Sequence, residues 1–368
     1  MKIAMIAIHD PNIYPGFYDL AINISKICNE TYYISRPELI LNNSEGGGLS
    51  FLNFRPPTGF LKNVPWFRAG HDRVLSILKD IRPDLIIAEN EFLIPSILYK
   101  KIFDNGANIA SFIMDNERNR KYIKIVKPVS RDINVQLECC DVLCRFRQED
   151  WPKMKARPFI LRHAPPLREH AVFQPHEGPA RFVFTSSKYV LGLNRDRLSR
   201  FLARLCGQGI SVDWYFPHQD ENREIARSLL SHPLYAVRER VEKAQLLDTL
   251  SGYDVGLHWA PMAEQDYDYN YFQSTASNKI GEYVAAGLAV AYAGNPGLAF
   301  LPRDMSLVYD PTDPEAGADQ LAAALADRAA LERMRAASLR YHQQELNLDA
   351  QAEPFLRYVR EELMPRFA

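Results

Sequence analysis

The amino-acid sequence predicts an α/β protein with two doubly wound, Rossmann-like domains that face each other across a cleft. Its 368 residues exceed what one ordinary hydrophobic core holds together and suit two domains. Short apolar runs alternate with segments of helical periodicity, which is the pattern of parallel βαβ units. A polar, proline-rich segment at residues 164–178 interrupts this alternation and indicates a linker.

The first half begins with an apolar run at residues 2–8, which predicts a buried strand. Phe17, Leu20 and Ile24 then recur at helical spacing. The same reasoning gives further strands at residues 31–35, 85–88, 109–114 and 142–145, and further helices at residues 71–81, 95–103 and 129–139.

The second half repeats the alternation. The predicted strands are residues 181–185, 211–216, 255–258 and 289–292, and the predicted helices are residues 194–207, 243–251 and 277–286, followed by a helical tail over 314–366. We therefore divide the chain into an N-terminal domain (1–165), a linker (166–178), a C-terminal domain (179–345) and a last helix (346–368).

The composition argues against nucleic-acid binding, membrane-spanning and metal-binding functions. A net charge of −1 gives no overall attraction to nucleic acid. There is no membrane-spanning apolar stretch and no signal-peptide pattern at the start, so we expect a cytoplasmic protein. The five cysteines have no accompanying histidines at zinc-site spacing, so we expect reduced thiols and no metal.

The most informative segment covers residues 277–290. Ser277 can cap a helix, and Gly287 can supply the left-handed residue that ends it. The free N–H groups and positive dipole of such a helix start suit a phosphate. Glu282, just over one turn further along, can accept hydrogen bonds from two ribose hydroxyls. The alternative is an ordinary capped helix on which Glu282 is merely exposed.

This segment, Ser-Asn-Lys-Ile-Gly-Glu-Tyr-Val-Ala-Ala-Gly-Leu-Ala-Val, resembles the donor-site motif of GT-B fold glycosyltransferases, especially glycosyltransferase family 4 (group 1) and its relatives. In that family the Glu binds the ribose of the nucleotide, and this role falls on Glu282. The resemblance implies a nucleotide-sugar donor of unknown base on the second domain, an acceptor on the first, and a last helix that packs back on the first. The donor-binding residues that we assign are Lys188, Arg195, His258, Ser274, Ser277, Asn278, Lys279 and Glu282.

Lys188 and Arg195 stand nearest the positions at which the family carries an Arg and a Lys that hold the diphosphate, although the family's Gly-Arg and Lys-Gly pairs are absent. Each is equally well explained as a solvated surface charge. Ser274 occupies the position at which many members have a second Glu that contacts the donor sugar. The sugar, and a retaining or inverting outcome, therefore stay open.

Further candidates follow predicted strands. His258 ends one, and its alternative role is that of a hydrogen-bonded structural histidine. The aromatic and acidic loop at residues 266–271 suits a sugar but is equally typical of an exposed loop. Asp10 and Asp115 are candidates for acceptor contacts or a general base, with helix capping as the alternative.

Six cations lie between Arg118 and Arg131, with acidic residues only at the flanks. Such a run is usually a solvated face. The sharper interpretation is a patch for anionic lipid headgroups or a lipid-diphosphate acceptor, which would bring the protein to the inner face of the membrane.

Together these features predict a hexosyltransferase-type glycosyltransferase that moves a sugar to a hydroxyl of a glycan or glycolipid in surface polysaccharide biosynthesis, with no cofactor, no metal and no nucleic-acid partner. One alternative is a nucleotide-sugar epimerase of similar two-domain shape. Another is a catalytically degenerate, nucleotide-sugar-binding scaffold subunit, which Ser274 in place of Glu would favour.

Overall fold

The structure, a computed structural model, describes residues 1–7, 15–28, 30–35, 48–55, 70–104, 106–112, 125–168, 173, 178–185, 195–215, 220–239, 241–259, 278–294, 296–310 and 312–366. At positions 15, 16, 146, 220–222, 243, 278 and 296 it describes the backbone only. The chain divides into two compact units. Unit 1 comprises Met1–Arg162 and Leu348–Ala368, and unit 2 comprises His163–Asn347.

Unit 1 contains a parallel sheet whose strands are β1 (Lys2–Ile6), β2 (Glu30–Ser35), β3 (Leu49–Asn53), β4 (Leu85–Glu89), β5 (Asn108–Phe112), β6 (Val135–Glu138) and β7 (Arg157–Ile160). Their order in the sheet is β3-β2-β1-β4-β5-β6-β7. The order reverses between β1 and β4, so these two strands flank the topological switch point of this unit.

Unit 2 contains a second parallel sheet, built from β8 (Arg181–Thr185), β9 (Ser211–Tyr215), β10 (Tyr235–Arg238), β11 (Val255–His258), β12 (Ala289–Ala293) and β13 (Ser306–Tyr309). Their order is β10-β9-β8-β11-β12-β13. Here the order reverses between β8 and β11. Both sheets are buried on two faces, as parallel sheets require.

The α-helices of the described chain are α1 (Pro15–Ser25), α2 (His71–Ile81), α3 (Leu93–Ile102), α4 (Asp141–Asp150), α5 (Arg195–Gly207), α6 (Asp220–Arg227), α7 (Lys243–Ser251), α8 (Asn278–Ala285), α9 (Pro314–Ala324), α10 (Arg328–Gln344) and α11 (Leu348–Tyr358). In unit 1, α1 and α11 share one hydrophobic cluster, while α2 and α3 line the other face of the sheet. Within the described ranges, no helix combines the length and apolar content needed to cross a lipid bilayer.

The last helix belongs to unit 1. Phe355 and Val359 join the cluster that α1 covers, and a π turn at Val359–Leu363 continues α11. The side-chain amide of Asn23 on α1 donates to Asp349 at 3.1 Å. Arg157 on β7 forms an ion pair with Glu362. Apolar burial and these polar contacts together attach the end of the chain to the sheet.

The doubly wound α/β architecture predicted for both halves is confirmed, and two adjacent local assignments are wrong. The strand predicted at residues 142–145 is part of α4, and the helix predicted at 129–139 is a short 3₁₀ turn, Lys127–Asp132, followed by β6. All four residues of β6 are buried between β5 and β7. The Cys140 sulfur accepts from the Leu143 N–H and caps α4, which starts the helix where the sequence suggested a strand.

Candidate functional site

The carboxyl edge of the unit 2 sheet brings three elements together at the switch point. Thr185 ends β8, and His258 ends the neighbouring strand β11. Helix α8 starts at the same edge, because it runs back along the sheet to reach the beginning of β12. Crevices of this kind are where open parallel sheets bind ligands.

Tyr283 fixes α8 against the two strands. Its hydroxyl accepts a hydrogen bond from the Thr185 N–H at 2.9 Å and lies 3.3 Å from the Leu257 carbonyl oxygen, to which it donates. Its ring rests on the sheet at Gly256, where a Cβ would come within 2.2 Å of the ring. Glycine at this strand position therefore admits the tyrosine.

Two glycines shape α8. A Cβ on Gly281 would lie 2.3 Å from the His163 carbonyl oxygen, so the chain at His163 crosses the helix at this residue. Gly287 adopts φ 71°. Its N–H donates to the Val284 carbonyl at 3.1 Å, and the Leu288 N–H donates to the Tyr283 carbonyl at 3.0 Å. This is a Schellman ending, and it confirms the helix stop predicted at Gly287.

Lys279 lies on the first turn of α8 and is half-buried. Burial lowers the pKa of its ammonium to about 8, while the negative charge of Glu282 opposes this shift. Its Nζ lies 5.8 Å from the centroid of the Phe184 ring, near the end of β8. The site thus holds a cation that burial makes unfavourable, which is an arrangement that a bound anion would stabilise.

His258 is a buried neutral imidazole, with 5% of its surface exposed. Burial, and next the positive charge of Lys279, lower its pKa to about 3. Its Nδ1 has no hydrogen-bond partner in the part of the chain that the structure describes. Buried polar atoms rarely stay unpaired, so this nitrogen is a candidate contact for a bound molecule.

A buried charge cluster holds the opposite edge of the sheet. Arg335 on α10 donates to the carbonyl oxygens of Gly287 and Ser251 and to the Asp254 carboxylate at 2.9–3.1 Å. Arg328 binds the same carboxylate through both terminal nitrogens. Burial lowers the pKa of Arg335 to about 10, so it stays charged. The cluster fixes the end of α8 and the start of β11, and thereby helps to orient the site from the opposite edge of the sheet.

The structure does not bring together all the other site residues that the sequence predicts in unit 2. Glu282 is half-buried and close enough to Lys279 to influence its pKa. Arg195 starts α5 and is exposed, and its Nη2 donates to the Ser228 hydroxyl at 3.0 Å. Asn278 opens α8, where only its backbone is described. Residues 266–271 and the candidates Lys188, Ser274 and Ser277 lie outside the described residues.

In unit 1, Asp10 and Asp115 also lie outside the described residues, but two buried carboxyl groups end strands at the carboxyl edge of its sheet. Glu89 ends β4 at the switch point, and Asn90 after it adopts φ 47°. Glu89 was not among the site residues predicted from the sequence. The sequence feature that points to Glu89 is an acidic residue directly after the apolar run of β4, because ligand-facing residues of parallel sheets lie at such positions.

Glu138 ends β6 and is the second of these carboxyl groups. Burial raises its pKa to about 7, against the charge of Arg147 and the hydrogen bond from Gln136. The Arg147 Nε lies 3.5 Å from one carboxylate oxygen, and the other oxygen has no hydrogen-bond partner among the described residues. Its signal was weaker, because β6 itself was not predicted.

Comparison with protein-family models finds none that matches, and no curated protein matches by sequence. The structure is similar to a glycosyltransferase from Rickettsia africae, with a TM-score of 0.75, 10% identity and coverage of 99% of this chain and 98% of that one. It is similar to sucrose-phosphate synthase from Thermosynechococcus elongatus, with a TM-score of 0.75, 13% identity and coverage of 99% and 100%.

A third similar structure is an Anabaena protein in complex with UDP and glucose, with a TM-score of 0.71, 11% identity and coverage of 98% of this chain and 100% of that one. Likeness at these identities establishes the fold. The two-unit α/β fold that the sequence resemblance implied is thus shared with solved glycosyltransferase structures.

Proposed function

We propose that this chain is a glycosyltransferase related to family 4, which transfers a hexose from a nucleotide sugar to a hydroxyl of a glycan or glycolipid acceptor. The observation that carries the proposal is the meeting of Lys279, Glu282 and His258 at the switch point of unit 2. Lys279 and Glu282 are three residues apart on α8 and therefore share a face of the helix.

The donor diphosphate would bind at the start of α8. The first N–H groups of a helix lack intrahelical partners and carry partial positive charge, which suits phosphate oxygens. Lys279 would supply a full charge, and the diphosphate would restore the solvation that this ammonium loses on burial.

Lys188 is a second cation for the same phosphates. It follows Thr185 by three residues, a length of chain that spans at most ~11 Å. Arg195 would first have to leave Ser228, so we assign it a lesser part. With these cations and the helix start, we expect no metal to be needed.

Glu282 would hold the ribose. A carboxylate is a pure acceptor and takes hydrogen bonds from both ribose hydroxyls. It stands just under one turn beyond Lys279, on the side where the ribose adjoins the phosphates. The neutral imidazole of His258 would contact the donor sugar or an adjacent phosphate oxygen, which would give a hydrogen bond to its Nδ1, an atom without a partner among the described residues.

The reaction would be a displacement at the anomeric carbon. The acceptor oxygen forms the new bond to this carbon, and the bond to the diphosphate oxygen breaks with its electron pair leaving on the nucleoside diphosphate. Charge grows on the leaving diphosphate, where Lys279 and the start of α8 stabilise it. The acceptor proton passes to a base, for which we propose Asp10 or Asp115 in unit 1.

Unit 1, to which we assign the acceptor, would bind peripherally to the cytoplasmic surface of a membrane. Lys127 and Arg131, at the end of the basic run, are exposed, and Ile125 beside them is 56% exposed. Lys101 forms an ion pair at 3.2 Å with Asp132, which brings the end of α3 next to this segment. There Ile102 and Phe103 are 60% and 46% exposed. Apolar side chains among cations suit a surface of anionic lipid headgroups.

The first test is a thermal-shift screen with UDP, GDP, ADP, CMP and their sugars. A ligand at 100 times its Kd adds roughly 2.7 kcal/mol of stability. Lys279→Ala should abolish the shift, whereas Arg333→Ala, which removes an exposed charge on α10 of the same unit, should preserve it. The proposal fails if no nucleotide stabilises the protein, or if both variants keep the full shift.

Turnover then separates the rival functions. A transferase releases the nucleoside diphosphate faster when a hydroxyl acceptor is present. An epimerase converts the nucleotide sugar without an acceptor and without release. A scaffold subunit binds the nucleotide and turns over nothing. Chromatography of the reaction mixture after incubation with each stabilising nucleotide sugar distinguishes the three.

A further inference from the structure

The two central strands of the unit 2 sheet separate before they end. β8 and β11 pair at Phe182 with Val255 and at Val183 with Gly256, and the pairing stops there. On its other side β8 stays paired with β9 as far as Thr185. The last residues of β8 therefore lie beside an opening in the ladder, at the switch point of the sheet.

The Tyr283 hydroxyl bridges this opening. It accepts from the Thr185 N–H on one side and donates to the Leu257 carbonyl on the other. The Thr185 hydroxyl lies 2.9 Å away and completes its hydrogen bonding. A side chain from α8 thus takes the place of the missing backbone hydrogen bonds between the two strands.

We propose that Tyr283 is a positioning residue for donor binding, which holds the end of β8 at a fixed distance from the first turn of α8. This proposal rests on the proposed function. Tyr283 stands four residues after Lys279, so the two side chains lie on one face of the helix. The same hydroxyl is bonded to the residue from which the segment carrying Lys188 departs.

The consequence is a selective effect on the diphosphate. The phosphates would bind where this hydroxyl joins two elements, the first turn of α8 with Lys279 and the end of β8 at Thr185. The ribose would be held by Glu282 on α8 alone, and this contact does not depend on the distance between α8 and the end of β8. Loss of the hydroxyl should therefore weaken binding of a nucleoside diphosphate much more than binding of its nucleoside.

The experiment uses Tyr283→Phe, which keeps the ring over Gly256 and removes only the hydroxyl. Its matched control is Tyr235→Phe on β10, whose buried hydroxyl donates to the Ala226 carbonyl at 2.8 Å. Calorimetric titration compares UDP, GDP, ADP and CDP with their nucleosides. Hydrogen exchange of the Thr185 amide reports on the bridge without any ligand.

We expect Tyr283→Phe to speed exchange at Thr185 and to weaken diphosphate binding about ten-fold, with a change under about two-fold for the nucleoside. Tyr235→Phe should leave all three quantities as in the wild type. Should Tyr283→Phe fold poorly, Thr185→Val tests the same bridge, with an expected loss of about three-fold for the diphosphate that Thr185→Ser restores.

These measurements distinguish a failure of the Tyr283 positioning role from a failure of the glycosyltransferase proposal. Equal weakening of nucleoside and diphosphate by Tyr283→Phe, or no weakening of either, overturns the positioning role and leaves the glycosyltransferase proposal standing. A wild-type protein that binds none of the four diphosphates overturns the proposed function, and the positioning role with it.

Discussion

Lys279, on the first turn of α8, lies close enough to His258 at the end of β11 for its positive charge to lower the pKa of that imidazole. Burial is the larger cause, and together they bring the pKa of His258 to about 3. His258 is therefore neutral at physiological pH. Lys279, by contrast, loses its charge at a pH only slightly above neutrality, because burial lowers its own pKa to about 8.

Nucleoside diphosphate binding should therefore weaken with rising pH. The phosphates favour the charged ammonium, so binding above the pKa of about 8 requires uptake of a proton. We expect the affinity to fall by up to about ten-fold for each pH unit above this pKa. Titration calorimetry in two buffers of different ionisation enthalpy measures the uptake directly. Lys279→Arg should abolish it, and an unchanged pH profile in this variant would remove Lys279 from the phosphate site.

Removal of the same charge should stabilise the free protein. The pKa of Lys279 is lowered on folding from 10.5 to about 8, so the unfolded state binds this proton more tightly than the folded state between these values. The charged Lys279 therefore lowers the free energy of unfolding, and this loss is regained only as the pH rises from about 8 towards 10.5. Lys279→Met has no such penalty at neutral pH. Its melting temperature should rise by about 2–4 °C, the shift for about 1 kcal/mol in a domain of this size. A lower melting temperature would contradict the burial argument.

Glu282 should matter for the nucleoside portion of the ligand. Glu282→Gln keeps the size but removes the charge and one acceptor, and charge-assisted hydrogen bonds contribute roughly 1.5–3 kcal/mol each. We expect the affinity for the nucleoside to fall about ten-fold or more, with normal melting. Glu315→Gln, an exposed acid on α9, serves as the control. Unchanged nucleoside affinity in folded Glu282→Gln would contradict the ribose role.

Gly281 should tolerate no side chain. A Cβ there would meet the His163 carbonyl oxygen at 2.3 Å, and a backbone group cannot rotate away. Gly281→Ala should cost about 1–3 kcal/mol of unfolding free energy in urea titrations. Gly207→Ala is the matched control, because open space surrounds that position at the end of α5. Equal stability of the two variants would show that the crossing chain at His163 yields easily.

The central strands and the site helix could be predicted from sequence, but the sheet edges could not. Five strands were not identified by sequence analysis. One is the interior strand β6, whose residues were predicted as part of a helix. The other four, β3, β7, β10 and β13, are the edge strands of the two sheets. Their burial is mixed, so they lack the uninterrupted apolar runs that identify a doubly covered strand. Strand β12 has such a run, with all five residues buried.

The polar organisation of the site was equally beyond the sequence, because its contacts join distant positions. The Tyr283 hydroxyl contacts a strand almost a hundred residues earlier, and Arg335 reaches Asp254 from α10. Neither pairing leaves a local pattern. Gly287 was predictable because a helix stop depends on its neighbours alone. Gly281 and Gly256 were not, since each makes room for a remote group.

A crystal structure with the nucleoside diphosphate that gives the largest thermal shift tests the proposed donor site most directly. We expect the phosphates to lie within hydrogen-bonding distance of the first N–H groups of α8 and of the Lys279 ammonium, with the ribose hydroxyls on Glu282. Phosphates bound to unit 1, or bound in unit 2 away from the start of α8, would contradict it.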